Sequence, residues 1–88
     1  QFHLTHSEGA GALMAATVGR LSHAAGVSLS IKGPGLTNAI PGIAAAWFEG
    51  FPLVHFTEGF PPNAPLSMAH KRIDQAALVQ PITKDMRY

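Results

Sequence analysis

Glu8 and the run Lys32-Gly33-Pro34-Gly35-Leu36-Thr37-Asn38 are the residues whose types and spacing could do chemistry. Glycine reaches dihedrals closed to other residues and carries no side-chain bulk, while proline fixes one φ angle. A strand that ends in Gly-Pro-Gly and runs straight into a helix makes a rigid bend whose backbone can approach a flat ligand closely. Glu8, upstream in the first turn of another helix, adds a carboxylate at a fixed spacing from that bend. Taken singly, each has a plainer reading. Gly-Pro-Gly signals a turn, a first-turn acid complements the positive end of the helix dipole, and Asn38 can serve as a cap. Their combination is what points to a site.

Other chemistries fit less well. His3 and His6 would sit on opposite faces of a strand, and His23, His55 and His70 are scattered, so no metal-ligand set forms. Lys32 precedes the glycines rather than following them, which excludes a P-loop. With no cysteine there is no disulfide or thiolate site, and a reducing cytoplasm is the expected compartment. Six Lys and Arg against five Asp and Glu leave no basic stripe for nucleic acid. The longest apolar stretch is broken by Pro41, Gly42, Glu49, Gly50 and Pro52, so no membrane span is expected.

The elements that would position these residues follow from periodicity and breakers. Phe2 to Thr5 reads as a short strand. Ser7 suits a helix N-cap, and a helical pattern then runs to Leu21, with Met14, Val18 and Leu21 on one face and Gly11 and Ala15 as a small-residue seam. Gly26 closes the turn and Val27 to Ile31 is the second strand. A helix follows over about Thr37 to Glu49, with Pro41 near its first turn, Gly50 as terminator and Pro52 as a barrier to resumption. Leu53 to Thr57 is the third strand, Glu58 to Ser67 a loop, and Asp74 to Gln80 a short helix before Pro81. The alternation predicts an α/β fold, a parallel sheet with right-handed helical crossovers. Three strands and two helices cannot cover both faces of such a sheet. The hydrophobic fraction of 47% with 12% charged residues suggests surface meant to be covered. Residues 1–88 are therefore read as part of a larger domain.

On these residues the chain resembles the N-terminal, pyrimidine-binding domain of thiamine diphosphate-dependent enzymes of the acetolactate synthase and 2-oxo acid decarboxylase type. In that family a glutamate is followed at fixed distances by two small residues, an arginine and a glycine. Here these are Glu8, Gly11, Ala15, Arg20 and Gly26. The family's Gly-Pro-Gly-x-Thr-Asn run is met by Gly33 to Asn38. Its Asp-Gln followed by Pro-x-Thr-Lys is met by Asp74, Gln75, Pro81, Thr83 and Lys84. The resemblance implies that Glu8 hydrogen-bonds N1′ of the cofactor's aminopyrimidine and so promotes loss of the C2 proton from the thiazolium ring. It also implies that Gly33, Pro34, Gly35 and Asn38 help bind the cofactor. The parent would be a lyase or transferase acting on a 2-oxo acid, working as a homodimer or tetramer. Magnesium would be held only by a diphosphate-binding domain that these residues do not contain, and the family's first strand and helix have no counterpart here. The alternative is a non-catalytic assembly or regulatory domain of the same fold. Four positions depart from the pattern: Ser7 stands where the family usually has histidine, Glu58 intervenes between Thr57 and Gly59 where the family has Thr-Gly, and the other two are lysines. Lys32 stands where the family has a small residue, and Lys71 where many members have glutamine. One reading is a more anionic substrate met by Lys32 and Lys71; the other is a pair of solvated lysines.

Overall fold

A computed structural model describes residues 1–88, apart from the side chain of Met68. The chain runs α1 (Glu8–Ser22), β1 (Gly26–Ser30), α2 (Pro34–Glu49), β2 (Leu53–Thr57) and α3 (Gln75–Val79), with single 3₁₀ turns at Leu66–Met68 and Gln80–Ile82. The two strands are parallel and in register from Gly26 opposite Leu53 to Ser30 opposite Thr57. An α/β fold with parallel strands joined through a helix is thus present. The expected strand at Phe2–Thr5 does not form: this segment has no regular structure, and Phe2 and Leu4 are exposed. An edge segment pairs only when a neighbouring strand offers its ladder and a surface takes its apolar face. Four residues cannot supply both.

Helix α1 starts where the sequence places it. Ser7 adopts extended backbone and its Oγ accepts from the Ala10 N–H at 3.1 Å, which settles one of the free donors of the first turn. Its packing face is the one that carries small residues. Met14, Val18 and Leu21 are exposed, whereas Ala12, Ala16 and Gly19 are buried. The small residues win because α1 and α2 cross at nearly backbone distance. A Cβ on Gly42 would collide with the Gly9 carbonyl, and one on Gly9 would sit 2.9 Å from the Asn38 carbonyl oxygen. The turn after α1 differs from expectation. His23 takes the left-handed conformation at φ 58°, and Gly26 instead begins β1, pressed against the backbone of Ala15.

Helix α2 begins one turn earlier than the alanine-rich stretch suggests, because Pro34 occupies its first position, where a missing N–H costs nothing. Pro41 consequently lies inside the helix rather than near its start. Gly50, at φ 67°, ends the helix, and its N–H caps the Trp47 carbonyl. The core comprises Ala12, Leu36, Ala39, Ile43 and Val79, with Ile40, Leu53, Leu78 and Ile82 around it. The opposite face of the sheet, formed by Val27, Leu29, Val54 and Phe56, is exposed, as the apolar composition suggested.

Candidate functional site

Parallel strands end at the same edge, and in open α/β sheets that edge is where ligands bind. Here β1 ends at Ser30 and β2 at Thr57, and three further segments converge beyond them. The first is the turn Lys32–Gly33. Gly33 is buried with φ 65°, a conformation that glycine adopts without strain, and its carbonyl accepts from Thr37 N–H at 3.0 Å. The second is the segment around Lys71, whose carbonyl fills the space a Gly33 side chain would need. The third is the N-terminus of α1, which meets α2 at Asn38 and so brings Glu8 to the same end of the fold.

Gln75 ties these segments together. Its Oε1 accepts from the Gly33 N–H at 2.8 Å, and its Nε2 donates to the Glu58 carbonyl at 2.9 Å. One amide thus links the turn after β1 to the strand end after β2. Asp74 makes this possible by capping α3, its carboxylate accepting from Ala77 N–H at 3.0 Å. Lys32 closes the same edge. Its Nζ lies 3.5 Å from a Glu58 carboxylate oxygen and 5.3 Å from the centre of the Phe60 ring. The Lys32 N–H reaches Glu58 Oε2 at 3.3 Å, and this bond, followed by attraction to the ammonium, holds the Glu58 carboxyl below its ordinary pKa.

A polar thread runs beneath the helices on the inner face of the sheet. Thr57 O–H donates to the Ile31 carbonyl at 3.2 Å, and Ser30 O–H donates to Thr57 Oγ1 at 3.3 Å. His55 bridges the two serines of β1, its Nδ1 2.7 Å from Ser28 Oγ and its Nε2 3.0 Å from Ser30 Oγ, both within hydrogen-bonding distance. Burial pushes the His55 pKa below 6.5, which favours the neutral ring.

The residues singled out in the sequence are placed as follows. Glu8 is the first residue of α1 and half-buried. No buried side-chain polar atom among the described residues lacks a partner, so its carboxylate oxygens are reachable from solvent. Gly33, Pro34 and Gly35 form the turn and first residues of α2, with Gly35 buried against Ile31 and Ser30. The bare face of Gly33 is filled by Lys71, so this glycine answers an internal packing demand. Asn38 lies in the second turn of α2, exposed; the cap is Gly33, not Asn38. Lys71 is exposed, at φ 63°. The sequence reading missed the bridging role of Gln75, and it missed the His55 thread. Ser28 and Ser30, two apart in an apolar strand, do signal a polar face, but their partner on the neighbouring strand depends on register.

These elements form a layered α/β unit with small-residue helix crossings and a glycine turn at the strand ends. The family model for "Thiamine pyrophosphate enzyme, N-terminal TPP binding domain" matches residues 1–78, and the chain belongs to that family. It is 40% identical over 73 residues to a catabolic acetolactate synthase of Raoultella terrigena, covering 83% of this chain and 13% of that protein. Identity to an acetolactate synthase of Bacillus subtilis is 42% over 73 residues, again 83% of this chain and 13% of the relative. The mitochondrial acetolactate synthase catalytic subunit of Saccharomyces cerevisiae is 37% identical over 79 residues, 90% of this chain and 11% of that protein. The chain thus spans only a small part of the length of the curated relatives it matches.

Proposed function

We propose that this chain forms part of a thiamine diphosphate-dependent enzyme acting on 2-oxo acids, in which Glu8 is the group that engages the cofactor's aminopyrimidine. The observation that carries the reading is the placement of Glu8: a half-buried carboxylate, reachable from solvent, at the N-terminus of α1, which packs on α2 beside Asn38, about one turn beyond the Gly33 turn. An ionised carboxylate can accept from a protonated ring nitrogen, and a neutral one can donate to it, so the donor set fits such a ring. When bound, the cofactor supplies an electron sink for breaking or forming a carbon–carbon bond next to a carbonyl.

This chain's own residues do three things in that scheme. Glu8 holds or releases a proton at one carboxylate oxygen, in a position defined by the Ser7 cap and by the close contact of Gly9 with Asn38. The Gly33–Gly35 turn forms a rigid backbone wall, clamped by Gln75. The polar thread from Ser28 to Ile31 holds the strand ends on which that wall stands. Magnesium, the diphosphate contacts and a partner subunit in a dimer or tetramer would come from outside these residues.

The test is Glu8→Gln in the intact enzyme. Turnover of a 2-oxo acid should fall by at least about 10²-fold, the lower scale for a positioned acid–base group, while diphosphate binding persists. Turnover at the parent's rate would remove the catalytic role, and a non-catalytic domain of the same fold would be the better reading.

A further inference from the structure

The segment that returns from β2 to α3 is fastened to the rest of the fold only at its ends. Among the described residues, the hydrogen bonds made between 59 and 73 are all local: Ala64 N–H donates to the Pro61 carbonyl, Ala69 N–H to that of Leu66 and Arg72 N–H to that of Ala69. The 3₁₀ turn at Leu66–Met68 packs on no other described helix or strand, and Leu66 is exposed. Both ends of the segment meet the same two residues. At the first end, the Glu58 carboxylate accepts from Lys32 N–H at 3.3 Å and lies 3.5 Å from Lys32 Nζ, and the Phe60 ring centre lies 5.3 Å from the same ammonium. At the second end, the Lys71 carbonyl covers Gly33, and Arg72 lies over the Phe60 ring with its Cζ 5.8 Å from the centre.

Lys32 and Glu58 both depart from the family pattern, and the two departures meet as one ion pair. Lys71 adopts φ 63°, which an L-residue with a long side chain takes up only under constraint. We propose that residues 59–73 form a strap, latched by Lys32 on Glu58 and Phe60, that opens as a unit and uncovers Gly33. Nothing between the ends holds the strap, so release at the latch frees its whole length. The release also reaches Gly33 N–H, because the Gln75 amide that accepts from it is itself anchored on the Glu58 carbonyl. An exposed ion pair contributes little to global stability, but it is enough to set a local opening equilibrium. Resting on the reading that the Gly33–Gly35 turn faces a cofactor, the latch governs access to that turn.

The test is amide hydrogen exchange of the full chain without cofactor, read at Gly33 and, as the reference for global opening, at the buried Ala39 of α2. Glu58→Gln should speed exchange at Gly33 by about 2- to 5-fold, the loss of one exposed ion pair. Lys32→Ala also removes the cation from Phe60 and should speed it by about 5- to 20-fold. The double variant should exchange no faster than Lys32→Ala, because the two side chains act through one contact. Raising the salt from about 0.05 to about 0.5 M should speed Gly33 exchange in the parent and not in Lys32→Ala, since screening acts on the ion pair. Ala39 should keep its rate throughout. An unchanged rate at Gly33, an equal rise at Ala39, additive effects in the double variant, or a salt response that survives in Lys32→Ala would each overturn the proposal. None of these measurements involves turnover, so their outcome is independent of Glu8, whose role stands or falls by the activity of the intact enzyme.

Discussion

Gln75→Ala is the substitution that most directly challenges the account of the site. The wild-type amide makes two bonds, 2.8 Å to Gly33 N–H and 2.9 Å to the Glu58 carbonyl. They differ in what their loss costs. Glu58 is exposed, so water replaces the donor to its carbonyl at little expense, but Gly33 is buried and the Lys71 backbone covers it. An orphaned buried N–H costs about 1–3 kcal/mol. Against this, truncation releases the ordered glutamine side chain, which recovers up to about 1 kcal/mol of conformational entropy. The net loss is about 1–2 kcal/mol, a midpoint shift of roughly 1 M in urea for a small domain. Urea unfolding measures the total, and amide hydrogen exchange at Gly33 measures the local opening. Gln75→Glu keeps the acceptor and should preserve protection at Gly33 while losing the bond to Glu58. An unchanged midpoint together with undiminished Gly33 protection in Gln75→Ala would refute the claim that this side chain clamps the turn.

Three further outcomes are expected. Gly42→Val should destabilise the chain by about 1–3 kcal/mol, the usual cost of overpacking, because the new atoms meet the Gly9 carbonyl and Ala12 Cβ; thermal melting followed by circular dichroism checks this, and an unchanged midpoint would mean the helices do not cross there. His55 has a folded pKa below the unfolded value near 6.5, so the unfolded chain binds the extra proton first. Its contribution to stability is thus complete above pH 6.5 and lost as pH falls towards and through the lowered folded value; denaturation at pH 7.5 and 5.5 should show the loss in the parent and a smaller one in His55→Asn. Finally, the 88-residue chain should bind thiamine diphosphate weakly or not at all. Glu8 and the turn offer too few contacts to outweigh the several kcal/mol of lost translational and rotational freedom, and low-micromolar affinity by calorimetry would show that they suffice.

What the sequence determined by itself is local or spaced along one element. Ser7 as cap, Glu8 at the helix start, Gly50 as terminator and Leu53–Thr57 as strand all follow from backbone preferences that act within a few residues. So do the parallel order implied by strand–helix–strand and the family, whose motif positions lie in register along the chain. Tertiary structure alone decided which face of α1 is buried. Met14, Val18 and Leu21 carry the larger apolar area, yet Gly9, Ala12 and Gly42 allow a closer helix crossing, and backbone proximity to α2 prevailed. It decided the fate of Phe2–Thr5 too, since strand propensity without a neighbouring ladder leaves the backbone unpaired. Gln75, Gly33 and Glu58, and likewise His55 with its two serines, come together only through the parallel register and the return of the chain after β2. No residue type announces a hydrogen bond to a partner that folding has yet to bring within reach.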